Sequence, residues 1–164
     1  MSQENPRYRE IGPDDMGSIF DVRVRTWHNP DGAAEMAAMG ITQESVRELM
    51  AGSYRGWIAE ADGEVVGFAM GNRANGEMWV IAVLEEFENR GIGRALLGRV
   101  EDWLVAEGCE ELWLTTDPDE NYRAVGFYRR LGWEDWKMEG GDRFMRKSKE
   151  RVLADQAADG TRRR

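Results

Sequence analysis

Residues 77–97 read EMWVIAVLEEFENRGIGRALL, and the fold follows from how this stretch divides. Its first part, Met78-Trp79-Val80-Ile81-Ala82-Val83-Leu84, is apolar at every position and rich in β-branched residues, which predicts a strand buried in a sheet. An acidic turn follows, then Asn89-Arg90-Gly91-Ile92-Gly93-Arg94. Beyond it Leu96, Leu97, Val100, Trp103 and Leu104 fall on one stripe of a helix. Two glycines where a strand meets a helix permit a sharp bend and leave the backbone N–H groups bare. The opening N–H groups of a helix lack an internal acceptor and sit at the positive end of its dipole, so such a turn suits an anion. Arg90 and Arg94 add full charges beside it, and the spacing predicts a phosphate site.

The turn is not a P-loop, which needs G-x-x-x-x-G-K-[ST]. It is not the dinucleotide fingerprint either, because Leu96 stands at the third glycine position. A Gly-x-Gly pair is weak alone in a chain with 19 glycines. It gains weight from a second segment, residues 121–133, NYRAVGFYRRLGW.

Together the two segments resemble the GCN5-related N-acetyltransferase (GNAT) superfamily. Its first motif is a strand, a turn [QR]-x-x-G-x-[GA] and a helix, matched here by Glu88-Asn-Arg-Gly91-Ile-Gly93. Its second is a helix N-x-x-A-x-x-x-Y-x-x-x-G-[FW], matched by Asn121, Ala124, Tyr128, Gly132 and Trp133. The resemblance spans roughly residues 6–147, and both motifs occur in order. Glu88 departs from the pattern, which has Gln or Arg there. A carboxylate near a pyrophosphate repels it, and Arg90 and Arg94 can offset that repulsion.

Composition points the same way. The 164 residues suit one domain with a proper core. Net charge is −9, from 22 basic and 31 acidic residues, which argues against nucleic acid and anionic membrane as partners but not against a cationic amine. No apolar run approaches the ~18 residues of a membrane span, and residues 1–6 lack a signal-peptide pattern. The single cysteine, Cys109, excludes an internal disulfide and fits a reducing cytoplasm. With no lysine or histidine nearby in sequence it reads as a packed residue rather than a nucleophile. No metal site is expected.

Along the chain, residues 7–11 alternate as a first strand. Asp14 and Asp15 then predict the cap of a helix turning Ile19, Phe20, Val24 and Trp27 inward. The run Asn29-Pro30-Asp31-Gly32 breaks it, and His28 beside the break reads as a surface or pocket-rim residue, outside the site. Thr42 caps a second helix with Val46, Leu49 and Met50 on one side. Residues 57–61 and 64–70 form a hairpin about Asp62-Gly63. Helix 93–107 ends at Gly108; a strand at 111–116 follows, then an acidic turn, 117–120, placed to cap the second-motif helix. Two last strands, 133–138 and 142–147, join through Gly140-Gly141. Residues 148–164 read as a charged, flexible tail ending in Arg162-Arg163-Arg164, so that 1–147 is the domain. The result is an α/β fold, a mixed sheet of about seven strands flanked by about four helices, in agreement with the family's fold.

The resemblance implies acetyl-CoA as cosubstrate. Backbone groups of Ile81, Ala82 and Val83 would pair with its pantetheine arm. The loop of Asn89, Arg90, Gly91, Ile92, Gly93 and Arg94 would hold its pyrophosphate, and Asn121 would contact the arm. Tyr128 stands at the family's acid position and would protonate the leaving thiolate. Asn121, Ala124 or Val125, and Tyr128 share a helix face by spacing. Glu77 lies on the strand face of Trp79, Ile81 and Val83, where the histone-modifying branch has its catalytic glutamate, and is the candidate base. The branch acting on ribosomal-protein N termini instead uses a glutamate on the next strand. Thr116 stands there, which counts against that acceptor class. The expected activity is transfer of an acetyl group to a primary amine of a small molecule or peptide. A non-catalytic CoA-binding sensor and transfer of another acyl group remain as alternatives, and pairing of two copies stays open.

Overall fold

Two tight turns, each with both central residues in the left-handed region, set two of the hairpins among the described residues. Asp62 and Gly63 (φ 53° and 80°) join one, and Gly140 and Gly141 (φ 60° and 84°) the other. That geometry matches the twist of antiparallel strands. The computed structural model describes residues 5–26 and 32–159. Trp27, His28, the break at 29–31 and the terminal arginines lie outside the described residues.

Among the described residues the chain runs β1 (Arg7–Glu10), α1 (Met16–Thr26), α2 (Gly32–Ala38), α3 (Gln43–Ala51), β2 (Tyr54–Ala61), β3 (Glu64–Asn72), β4 (Glu77–Val83) and α4 (Ile92–Ala106). It continues with β5 (Glu111–Thr116), α5 (Arg123–Arg130), β6 (Glu134–Glu139), β7 (Asp142–Ser148) and α6 (Lys149–Ala158). The seven strands form one mixed sheet in the order β1-β2-β3-β4-β5-β7-β6. The α/β expectation holds, with six helices among the described residues where four were expected. The described residues of 1–70 and 80–100 form one compact unit, and those of 71–79 and 101–164 another.

In the first unit β1 pairs antiparallel with β2, from Arg7↔Glu60 to Glu10↔Trp57. Met16, Ile19 and Val22 are the buried stripe of α1, while Phe20 and Val24 are only half-buried. Asp14 and Asp15 do not cap α1 directly. A 3₁₀ turn over Pro13–Asp15 precedes it, and the Asp15 carboxylate reaches back to accept the Gly12 N–H at 2.7 Å. Arg9 donates to that carboxylate and to Glu60, and its hydrogen bond holds the Asp15 pKa below the usual value. Thr42 caps α3 as expected, accepting the Ser45 N–H at 3.1 Å. Gly56 on β2 is required by packing: a Cβ there would lie 2.5 Å from the Ala69 carbonyl oxygen.

In the second unit β7 lies between β5 and β6 and is antiparallel to both. The start of β4 runs parallel to β5, with Glu77 opposite Trp113. Gly108 (φ 100°) ends α4 as expected, and the next N–H, of Cys109, donates to Leu104 O at 3.0 Å. Where the sequence predicts a tail, residues 149–158 form α6. Ser148 caps it by accepting the Arg151 N–H at 3.2 Å, and Val152 is fully buried. The sequence hides this helix because its ties to the fold are polar, as described below.

Packing of α6 has a direct check. Val152→Asp buries an unpaired carboxylate and is expected to cost more than about 2 kcal/mol in urea denaturation. The same change at its exposed neighbour Leu153 is expected to stay within about 0.5 kcal/mol.

Candidate active site

The cofactor residues expected at 81–83 and 89–94 sit in the first unit. Along β4 Met78 and Ala82 are buried, while Val80 between them on the same face and Trp79, Ile81 and Val83 on the other are half-buried, so the strand expected to be buried on both faces is only partly so. Gly67 on β3 permits this packing, since a Cβ there would meet Ala82 O at 3.0 Å and Leu96 of α4 at 3.2 Å. The chain leaves β4 through a 3₁₀ turn over Glu85–Phe87, then reverses at Asn89 (φ 63°) and Gly91 (φ 83°). A loop with such left-handed residues turns successive N–H groups to one side, the geometry of an anion nest. Ile92, the first residue of α4, is buried and anchors the helix start. The Ala95 N–H closes the first turn on Gly91 O at 3.0 Å.

Gly91 is exposed and nothing lies within 4 Å of where its Cβ would be, so a ligand can approach the backbone there. Arg90 and Arg94 are exposed, and the Arg90 guanidinium rests over the Phe87 ring at 5.1 Å. Glu88, the departure from the family pattern, is half-buried, and its N–H donates to Glu85 O at 3.2 Å. The structure therefore brings residues 81–83 and 89–94 together on one strand–turn–helix connection.

Glu77, Asn121 and Tyr128 belong to the second unit. Glu77 opens β4, half-buried, with its N–H donating to Asn75 Oδ1 at 3.0 Å. Its cross-strand partner Trp113 donates Nε1–H to Asn75 O at 2.9 Å and stacks on Phe144. Burial pushes the Glu77 carboxyl pKa above the ordinary glutamate value. Tyr128 is 6% exposed, on the inner face of α5 with Val125. Its ring meets Phe127 edge-on at 5.4 Å and Trp133 at 6.1 Å.

Asn121 does not share a helical face with Tyr128, because α5 begins only at Arg123. Asn121 is exposed in the loop before the helix, and its N–H donates to Asp119 Oδ1 at 2.9 Å. Asp117 accepts the Asp119 N–H in the same way, so these carboxylates fold the loop on itself instead of capping α5. Asp and Asn favour such local turns as strongly as caps, which is why the sequence misleads here. Sequence reasoning also passes over Arg143, which donates to Pro118 O at 2.9 Å and pairs with Asp135, tying this loop to β6 and β7. No local motif marks it.

Cys109 is half-buried, and burial, with the nearby Glu107 carboxylate, raises its thiol pKa, against a nucleophilic role. Among the described residues no group of His, Cys, Asp and Glu side chains converges as metal ligands. No helix among them is long and apolar enough to cross a membrane.

The sequence model of the acetyltransferase (GNAT) family matches residues 16–133. Among solved structures, the PaiA N-acetyltransferase of Thermoplasma acidophilum in complex with coenzyme A aligns with TM-score 0.77 at 19% identity, covering 88% of this chain and 99% of that one. An aminoglycoside 6′-acetyltransferase type Ii aligns with TM-score 0.71 at 20% identity, covering 87% and 97%. The ribosomal-protein-S18-alanine N-acetyltransferase of Escherichia coli aligns with TM-score 0.69 at 19% identity, covering 88% and 94%. At these identities the structural likeness is one of fold.

The turn at Gly91 makes its own prediction. Alanine there has room for its Cβ but must adopt a left-handed backbone. The expected cost is about 1 kcal/mol, read as a lower urea midpoint without a change in slope.

Proposed function

The chain belongs to the acetyltransferase (GNAT) family and is an acyltransferase; we propose that it carries the acetyl group of acetyl-CoA to a primary amine by direct attack in a ternary complex. The observation that carries this reading is the glycine turn at 89–93 opening α4, within the stretch that matches the family. In this reading the N–H groups at that turn, with Arg90 and Arg94, hold the pyrophosphate. The β4 backbone at 81–83 and Asn121 receive the pantetheine arm.

The chemistry then needs protons moved at two atoms, away from the amine nitrogen and onto the leaving sulfur. An alkyl ammonium with a pKa of about 10.4 is mostly unreactive at neutral pH and must lose a proton before its nitrogen attacks the thioester carbon. Glu77 takes that proton, directly or through water. Its raised pKa brings it nearer the working pH than an ordinary glutamate. The tetrahedral intermediate loses its second nitrogen proton to solvent and collapses with cleavage of the C–S bond, and the departing thiolate takes the Tyr128 hydroxyl proton. The products are an amide and free CoA, and Tyr128 regains its proton from solvent. The acidic surface favours a cationic acceptor over an anionic one.

The first test is a thermal melt with and without acetyl-CoA, alongside thiol release over a panel of amines. Acetyl-CoA is expected to raise the melting temperature by mass action, and Gly91→Asp to remove the rise. No rise at high ligand concentration would overturn the phosphate assignment. Stabilisation with no thiol released on any amine of the panel would favour a binding domain instead.

Two substitutions test the proton transfers. Tyr128→Phe is expected to lower kcat by about 10²–10⁴-fold with little change in the acetyl-CoA KM. For Glu77, a raised pKa means that the basic form appears only at a higher pH than for an ordinary glutamate. The acid limb of kcat/KM should therefore lie above the ordinary value of 4.5 and vanish in Glu77→Gln. An unchanged limb in that variant would assign the base elsewhere.

A further inference from the structure

Lys147 lies on β7, outside every role described so far, yet it is among the most buried charged groups of the second unit. Its side chain is 1% exposed and that of its partner Glu101 is 2% exposed. An ammonium has three N–H donors, and here the structure provides three acceptors. Lys147 Nζ donates to Glu101 Oε1 at 2.9 Å, Leu131 O at 2.8 Å and Asp155 Oδ2 at 2.7 Å. Those acceptors belong to α4, the end of α5, and α6.

The Leu131 contact connects this charge to chemistry. Leu131 is the C-terminal cap of α5, a helix of eight residues. So short a helix is marginal without tertiary support, and the carbonyls at its end need outside donors. A cation there also complements the helix dipole. Leu131 N–H and Trp133 N–H both donate to Tyr128 O at 3.0 Å. Trp133 Nε1–H donates to the other oxygen of Glu101 at 2.8 Å, and the Trp133 ring packs on that of Tyr128. Gly132 between them faces Arg151, whose Nε donates to Asp155 at 3.0 Å. Lys147 thus holds the last turn of α5 through two routes that both end on Tyr128.

We propose that Lys147 is a positioning residue for Tyr128, and that the C-terminal helix α6 serves the reaction through it. The inference rests on the reading of Tyr128 as the acid. Buried ion pairs often add little net stability compared with apolar replacements, so fixing geometry is the role that distinguishes this cluster.

The test is a double-mutant cycle. Lys147→Met with Glu101→Gln removes both buried charges and leaves an acceptor for Trp133 Nε1–H, so the fold is expected to survive. The tie to Leu131 O is lost. Asp155→Asn, at the more exposed end of the cluster, is the milder second variant should the first not fold. In the otherwise unaltered chain, with the amine that releases most thiol, the charge-free variant should lower kcat by about tenfold or more. The acetyl-CoA KM should stay within about twofold, and Asp155→Asn should act in the same direction to a smaller degree. In a Tyr128→Phe background the same changes should alter kcat by less than about twofold, because the group being positioned is gone. Amide exchange at Leu131 and Trp133 should quicken in both backgrounds. An equal loss of kcat with and without the Tyr128 hydroxyl overturns the inference alone, as does an unchanged kcat with faster exchange. If Tyr128→Phe by itself retains kcat, the assignment of the acid falls, and the inference with it.

Discussion

An ammonium removed from water must find a partner for every proton or the structure around it does not persist. Lys147 meets that requirement with two carboxylates and one carbonyl from three different elements, so none of them can shift alone without stranding a charge. Trp133, Glu101, Asp155 and Arg151 are arranged around it in turn. For Asp155, burial would raise the pKa, but hydrogen bonds from Lys147 and Arg151 outweigh it and hold the group below the usual aspartate value. The carboxylate therefore stays charged at neutral pH, and the cluster keeps its ions. Apolar packing alone would leave α5, with one fully buried apolar side chain in Val125 and a capless start, free to slide.

The proposed pyrophosphate turn in the first unit faces a different problem, which is to receive an anion within an acidic protein. Net charge −9 repels phosphate at long range, but that field is screened over about 10 Å in ordinary salt. At contact distance the local groups decide. There the chain offers a helix start, two left-handed residues and two exposed arginines. One of them, Arg90, rests on Phe87, which limits its freedom before a ligand arrives. Glu88 beside the turn is half-buried.

Which parts of this were legible in the sequence follows from the range of the interactions involved. Hairpin turns, the Thr42 cap and the Gly108 stop are fixed by neighbours in the chain, and each stands where local chemistry predicts, whereas β4, apolar from Met78 to Val83, is buried at Met78 and Ala82 and only half-buried at its other residues. The start of α5 does not, because the side chains of Asp117 and Asp119 are equally suited to loop turns and to caps, and only the fold decides. Helix α2 is alanine-rich and follows directly on a break, so no apolar stripe announces it. Helix α6 is illegible for the opposite reason to most missed elements. Its stripe offers only Val152 as a fully buried residue, and its other ties are polar, from Asp155 to Lys147 and from the Gln156 amide to Asp102. A charged run normally means solvent, and a sequence cannot show that Lys147 and Asp155 face inward.

That difference bears on how a small acyltransfer site is made accurate. Ligand-binding turns can be encoded locally because they need a backbone shape, and a few glycines with an Asn at a positive φ supply one. A proton donor needs its hydroxyl placed to within a fraction of an ångström, which no local motif guarantees on an eight-residue helix. Accuracy of that kind has to come from distant elements closing on the same turn. In this chain those elements are Glu101 of α4, Lys147 of β7 and Asp155 of α6, converging behind Leu131 and Trp133. The motif with Tyr128 in it is therefore only half of the device that would place the tyrosine. The other half lies in residues far along the chain, and the shortness of α5 is what makes it necessary.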